Sequence, residues 1–156
     1  MRKDIGKGLL AGALAGAAAG IAMQVFDDVW QRRYSEPSYE NDITRSMALT
    51  AAQRLGVDPS DEAIERAARG LHFAIGVALG AGYGAAVELM PDAAVAAGIP
   101  FFVGEAVLGN ELIGPHLGLF RPPSQYPMNK HWNSVLAHVV YGAVAELVRR
   151  EVRQRL

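Results

Sequence analysis

Long stretches without a charged side chain constrain the fold of this chain more than any other feature. No Asp, Glu, Lys, Arg or His occurs from Gly8 to Phe26, and none occurs between His72 and Glu88. The first stretch has 19 residues, which as a helix is long enough to cross the hydrocarbon core of a bilayer. The charged residues are concentrated in about residues 27–69 and at the two ends. We therefore predict an integral membrane protein.

Composition excludes several other classes of protein. The chain has 156 residues, which fits one domain, and a formal net charge of −1. With no basic patch beyond the C-terminal arginines, we predict no nucleic-acid partner. The absence of cysteine excludes disulfides, Cys-ligated zinc and iron–sulfur clusters. Neither G-x-S-x-G nor a P-loop occurs, so we predict no enzymatic activity.

The N-terminal segment also resembles a secretory signal peptide. Arg2, Lys3 and Lys7 precede the apolar run, and Ala13-Leu14-Ala15 is similar to a cleavage site. The run is longer than a typical signal core and long enough to span a membrane. We therefore predict that this segment is retained as a helix.

The whole pattern predicts an all-α fold, an integral membrane bundle of about four transmembrane helices in a single membrane domain. A helical extramembrane loop is predicted at about residues 35–69, and Ser60 is the expected N-cap of the helix that leads into the second span. The third helix, predicted at Ala93–Ile113, contains Pro100, which should kink it. The predicted spans are about residues 8–27, 71–90, 93–113 and 132–148.

Basic residues predict the orientation of the bundle. Both ends of the chain are basic, whereas the turn between the second and third spans has no Lys or Arg. The positive-inside rule then predicts that both termini lie in the cytoplasm. The long first loop opposes this prediction, because it holds six arginines: Arg32, Arg33, Arg45, Arg54, Arg66 and Arg69.

Two of the predicted spans carry glycine at every fourth position. Small residues at this spacing form a groove that lets a second helix backbone come close. The first span has Gly8, Gly12, Gly16 and Gly20, and the second has Gly76, Gly80 and Gly84. Two interpretations remain open: the stripes pack the helices within one chain, or one stripe forms a homo-oligomer interface.

Ionisable residues inside spans are costly and therefore mark a candidate intramembrane polar site. The candidates are His72, Glu88, Glu105, Glu111, His138 and Glu146. Topology predicts that His72, Glu111 and His138 gather toward one side of the bundle together with His116 and His131, while Glu105 lies deeper. Glu88 and Glu146 should lie toward the opposite side, near Arg149 and Arg150. One face of the fourth helix should look into the bundle, and it carries His131, Ser134, His138, Gly142, Glu146 and Arg149.

Three roles remain open for these groups. They could fix the packing through hydrogen bonds and salt bridges, bind a divalent metal or haem, or form a path for protons or a solute. The best metal candidates are His72, Glu105 and His138. No diagnostic metal motif such as HExxH occurs, so no cofactor is predicted, and haem or a divalent metal stays an alternative.

The C-terminal half resembles the YagU-like family of small bacterial inner-membrane proteins. The stretches that carry this resemblance are Glu88-Leu89-Met90-Pro91, Gly118-Leu119-Phe120-Arg121-Pro122-Pro123, Ser134–Gly142 and Glu146-Leu147-Val148-Arg149-Arg150. The resemblance covers about residues 70–151. It implies a membrane location and points to His138, Glu146, Arg149 and Arg150, but it implies no reaction.

These observations favour a protein that acts by assembly, either as a homo-oligomer or as an accessory subunit of a membrane complex. Its partners would be the lipid bilayer and either itself or another membrane protein. The alternative is proton or ion transport, or metal or haem binding, through the intramembrane His and Glu residues.

Overall fold

A computed structural model describes residues 3–34 and 39–156, and within these ranges the protein is helical without a β-strand. Arg2 and part of the predicted loop, residues 35–38, lie outside the described residues. The principal helices are α1 (Ile5–Tyr34), α2 (Tyr39–Leu55), α3 (Asp61–Leu89), α4 (Ile99–Ala106) and α5 (Met128–Arg155). A 3-10 segment, Pro91–Gly98, precedes α4, and a π-helical turn, Val107–Ile113, continues it to a last turn at Gly114–His116.

Three helical segments are long and apolar enough to cross a membrane. They are Ile5–Tyr34, Asp61–Leu89 and Pro91–His116. The α5 helix is not among them, because polar residues such as Asn133, His138 and Glu146 lower its mean hydropathy. These three segments agree with the predicted membrane class in length and hydropathy, whereas the fourth predicted span, at about residues 132–148, is not among them.

The α1 helix packs against both α3 and α5 and forms the centre of the bundle. It runs antiparallel to α3, since Gly8 lies against Gly84 and Gly16 lies against Gly76. A methyl group on Gly12 would collide with the Gly80 carbonyl oxygen, and one on Gly80 would collide with the Gly12 carbonyl oxygen. Only glycine therefore permits this backbone separation. At Gly20 the approach has ended, because the nearest atom to a methyl group there is on Phe73, 3.8 Å away.

The start of α3 follows the prediction. The Ser60 hydroxyl oxygen accepts a hydrogen bond from the Ala63 backbone N–H, as an N-cap should. From Asp61 the helix runs without interruption to Leu89. Its charged first turn and its apolar second half thus belong to one rigid element.

The next helix differs from the prediction, because Ala93–Ile113 is not one kinked helix. Left-handed backbone at Ala96, Ala97 and Gly98, with φ of 48°, 57° and 71°, separates the 3-10 segment from α4. Pro100 lies in the first turn of α4, where its missing N–H costs no helical hydrogen bond. It therefore starts a helix instead of kinking one.

The bundle exposes many large apolar side chains and buries several charged ones. Large apolar side chains point outward, among them Leu14, Ile21 and Leu147, with exposed fractions of 50%, 61% and 68%. Charged side chains are buried, and Asp27 and Glu146 have exposed fractions of 0% and 1%. This distribution suits a bundle whose solvent is hydrocarbon.

Candidate functional site

A partly open cavity of about 230 Å³ lies among the helices. Every principal helix contributes to its wall, as does the segment between α4 and α5. Its polar lining consists of Thr44, His72, Glu105, Asn110, His138 and Tyr141. The apolar lining includes Met23, Met47, Leu79, Phe102, Ile113 and Phe120. The three residues predicted as best metal candidates, His72, Glu105 and His138, thus line one cavity.

Glu105 and His138 face each other across this wall. Glu105 lies near the end of α4, His138 lies in the middle of α5, and their atoms Oε2 and Nε2 are 3.6 Å apart. That separation is longer than a hydrogen bond but within the distance of an ion pair. The side chain of His138 is 9% exposed and that of Glu105 is 28% exposed. Two ionisable groups therefore meet in a mainly apolar environment.

A backbone contact fixes the tautomer of His138. Its Nδ1 lies 2.8 Å from the carbonyl oxygen of Ser134, one turn earlier on α5. A carbonyl oxygen can only accept, so Nδ1 must carry the hydrogen. In neutral His138 the lone pair then belongs to Nε2, the atom that faces Glu105. This arrangement presents two acceptors to one point at the cavity wall.

The π-helical turn, Val107–Ile113, lies next to Glu105 and positions a second polar side chain at the cavity. It follows Glu105 directly and carries Asn110, which also lines the cavity. A methyl group on Gly109 would lie 3.0 Å from Glu105 Oε1, so glycine leaves room for the carboxylate. Single π-helical turns are frequent at functional sites, because they redirect side chains that a regular helix would place elsewhere.

A second His–Glu pair lies nearer the end of the bundle. The Nδ1 of His131 is 2.7 Å from Glu111 Oε1, and both side chains are half-buried. His116 is exposed. The predicted group of histidines is therefore divided among the cavity, with His72 and His138, the Glu111–His131 pair, and the surface.

Toward the other end, Glu146 lies in a dense polar network. The Tyr83 hydroxyl donates to Glu146 at 2.8 Å, and Arg149 donates to both carboxylate oxygens at 2.7 and 2.9 Å. Arg150 donates as well. The Arg149 guanidinium carbon also lies 5.9 Å from the centroid of the Tyr83 ring, within the range of a cation–π contact. Every oxygen of the Glu146 carboxylate thus accepts hydrogen bonds.

At the same end of the bundle, Glu88 links three helix ends through hydrogen bonds. Its carboxylate accepts hydrogen bonds from Arg153 at 2.6 and 3.3 Å, and from the backbone N–H of Asp4 at 2.9 Å. These hydrogen bonds raise the pKa of the Arg153 guanidinium above its ordinary value. The start of α1, the end of α3 and the end of α5 are joined through this one carboxylate.

The described residues do not form a metal centre of the common kind. Within residues 3–34 and 39–156, no group of three or more His, Cys, Asp or Glu side chains is arranged to hold a metal ion. His72 shares the cavity with Glu105 and His138 but does not complete such a group. The chemistry available in the cavity is that of one carboxylate and two imidazoles in a largely apolar space.

Several residues of these networks were not predicted from the sequence. Tyr83 and Tyr141 are buried, and the Tyr141 hydroxyl donates to the Gly76 carbonyl oxygen. Asn133 donates to Asp27 at 3.2 Å, and neither side chain is exposed. Their positions in the sequence could have identified two of them. Tyr141 follows His138 by three residues on the polar face of α5, and Asp27 comes directly after the first apolar run.

Comparisons with protein-family models, curated proteins and solved structures found no match to this chain.

Proposed function

We propose that this chain is a small multi-pass membrane protein that binds a small solute in the cavity between its helices. One observation carries the proposal: Glu105 and His138, from two different helices, meet at 3.6 Å in the wall of a cavity of about 230 Å³. Concave, largely apolar cavities with a few converging polar groups are the usual form of ligand sites. The exposed apolar surface of the bundle supports a location within a membrane.

In this proposal α5 is the fourth span. Asn133 near its start contacts Asp27 near the end of α1, and the carbonyl oxygen of Leu156 accepts from Lys7 near the start of α1. The two helices therefore run side by side over nearly their whole lengths, and α5 must cross wherever α1 crosses. Its polar residues are compatible with this position because they face protein, not lipid.

The glycine stripes support binding more than assembly as the function. In α1 and α3 they face each other within one chain, where they bring the two backbones close. The same surfaces are then not available for a second copy. The basic ends of α1 and α5 favour a cytoplasmic location of both termini, in an inner membrane.

The aromatic packing between the cavity and Glu146 favours solute binding over transport. Phe102 and Tyr83 are fully buried between the cavity and Glu146, and their rings are 4.9 Å apart. The backbone of Ile99 also packs closely on Gly142 of α5. This packing separates the cavity from the Glu146 network, so the geometry favours a site that holds a ligand on one side of the barrier.

The experiment is native mass spectrometry of the protein purified from its own membrane, with chromatographic identification of any released compound. We expect a bound small molecule in the wild-type protein that is lost in His138→Ala and Glu105→Gln. Leu136→Ala is the matched control, because Leu136 lies on the same helix but is 44% exposed. A wild-type protein that carries no ligand, and whose thermal unfolding is unchanged by every compound in a metabolite library, would contradict the proposal.

A further inference from the structure

The polar side chains in the cavity wall already have partners within the protein. Glu105 and His138 face each other at 3.6 Å. The Tyr141 hydroxyl donates to the Gly76 carbonyl oxygen. The remaining polar lining residues also interact with other groups of the protein: Thr44, His72 and Asn110. A charged or hydrogen-bonding ligand would have to compete with these partners after giving up its own hydration, so the wall disfavours a polar ligand.

The rest of the cavity wall is apolar and partly aromatic. The rings of Phe102, Phe120 and Tyr141 line it, and two methionines, Met23 and Met47, lie among them. Aromatic rings pack well against one another, and methionine adapts to varied apolar shapes. We propose that the cavity binds an uncharged, apolar molecule of one or two rings. This inference rests on the proposed binding function and names the class of its ligand.

The volume of the cavity sets the size of this molecule. A cavity of about 150 Å³ lined by Leu, Ile and Phe side chains binds one benzene molecule. The cavity in this bundle, at about 230 Å³, is about one and a half times as large. Two fused rings, as in naphthalene, suit this space. The Glu105–His138 pair then acts by holding α4 against α5 beside the ligand, so that its loss opens the wall of the site.

Ile113 marks the mouth through which such a molecule can enter. It lines the cavity, yet it is 55% exposed at the surface of the bundle. It belongs to Pro91–His116, one of the segments that are long and apolar enough to cross a membrane, and its neighbour Leu112 is exposed as well. An apolar molecule dissolved in the bilayer therefore reaches the cavity without crossing a polar surface.

The chain has no cysteine, which permits a direct test with a single introduced thiol. Ile75→Cys places the thiol in the cavity wall. Ala74→Cys is the matched control, because Ala74 is the preceding residue of α3 and is exposed. Each variant reacts in detergent with the uncharged reagent N-ethylmaleimide, in the presence of naphthalene, 1-naphthylmethylamine or 1-naphthoate. These three compounds share one ring system and differ in charge.

We expect naphthalene to protect the thiol of Ile75→Cys. At about ten times its dissociation constant it should slow the reaction by about tenfold, because about one-tenth of the cavities then remain empty. The rate at Ala74→Cys should not change beyond the effect of the compound on the detergent. The charged amine and the carboxylate should need concentrations about tenfold higher or more, since their charges would be buried without a dedicated partner.

Thermal unfolding provides a second measurement that does not depend on the thiol. Naphthalene should raise the unfolding temperature of the wild-type protein. It should not do so in Met47→Trp, which fills the cavity with a larger side chain. Leu55→Trp is the matched control, because Leu55 lies on the same helix, is exposed and does not line the cavity. Its response to naphthalene should equal that of the wild type.

The outcomes separate this inference from the function on which it rests. If the amine or the carboxylate protects Ile75→Cys at the same concentration as naphthalene or at a lower one, the apolar inference is overturned and the binding function stands. Stabilisation of Met47→Trp by naphthalene as large as that of the wild type would also overturn it, because the molecule would then bind elsewhere. If none of the three compounds changes either measurement and the purified protein carries no ligand, the proposed binding function itself fails.

Discussion

The two polar layers of the bundle use similar residues, but one is packed closely around a carboxylate and the other lines a cavity. Around Glu146, one carboxylate accepts from Tyr83, Arg149 and Arg150, and its side chain is 1% exposed. Glu105 lies 3.6 Å from the Nε2 of His138 and lines a cavity. A carboxylate that accepts from several buried donors contributes mainly to the stability of the fold. We therefore expect Glu146 to affect stability more than Glu105 does, and the proposed binding role concerns the cavity residues.

The largest expected effect comes from separating the helices that support both layers. Gly80→Leu should prevent α1 from packing on α3, because the new side chain would enter the backbone of Gly12 and Gly16. Overpacking against side chains already costs about 1–3 kcal/mol, and a backbone yields less readily. Gly82→Leu is the control, since nothing lies within 4 Å of a methyl group at that position. Circular dichroism during heating in detergent measures both, and equal unfolding temperatures would refute the tight pairing of these helices.

Light scattering on the same samples addresses the assembly hypothesis. If one stripe joined two copies, Gly80→Leu would halve the mass of the protein without unfolding a chain. We expect instead that Gly80→Leu unfolds the chain whether the protein is present as one copy or as several, because the two stripes meet within one copy.

The next effect tests the satisfied layer. Glu146→Gln should lower the free energy of unfolding by about 3–5 kcal/mol, because it leaves the buried Arg149 guanidinium without its carboxylate. Glu151→Gln on the same helix removes only an exposed pair with Arg155 and should cost less than about 1 kcal/mol. Unfolding by a denaturing detergent gives both values. Equal losses in the two variants would mean that the Glu146 network does not hold the bundle together.

A smaller effect is expected at the edge of that layer. Tyr83→Phe removes one donor from Glu146 but leaves both guanidinium groups in place. Loss of one hydrogen bond to a charged group costs about 1.5–3 kcal/mol. The same unfolding measurement should therefore rank Tyr83→Phe between Glu151→Gln and Glu146→Gln. A Tyr83→Phe loss as large as that of Glu146→Gln would contradict this ranking, because it would mean that the Tyr83 hydroxyl contributes as much as the charge of the Glu146 carboxylate.

The smallest effect on stability is expected in the cavity layer. Glu105→Gln should change the free energy of unfolding by less than about 1 kcal/mol, because the carboxylate is 28% exposed and its 3.6 Å contact with His138 is longer than a hydrogen bond. Its consequence should appear in ligand binding instead. If Glu105→Gln destabilised the protein as much as Glu146→Gln, the contrast between the two layers would be wrong, and Glu105 would be a structural group.

The sequence predicted what depends on local pattern. The apolar runs, the Ser60 N-cap and the polar face of α5 are each encoded by neighbouring residues, and the structure contains all three. The start of α4 was predicted wrongly at Ala93. Left-handed backbone at two alanines has no local signature, and here it accompanies close packing of Gly98 on Tyr83.

In the candidate site, too, the sequence predicted the residues that local pattern marks but not the contacts that depend on tertiary packing. The sequence identified His72, Glu105 and His138 as candidate site residues, because ionisable groups in apolar helices are rare. Which of them meet could not be predicted, since the Glu105–His138 contact depends on the alignment of α4 with α5 across the intervening loop. The π-helical turn that follows Glu105 changes that alignment, and the sequence gives no signal for it.

The polar face of α5 has a consequence for how the protein is made. The α5 helix follows α1 and α3 in the chain and is less apolar than either. Its buried groups, such as Asn133 and Glu146, have partners on α1 and α3. We expect α5 to wait at the insertion machinery until the earlier helices have associated, and then to enter the bilayer on their surface. Nascent chains that end after Gly118 should accordingly be targets for membrane proteolysis, since they would expose the groove that α5 fills.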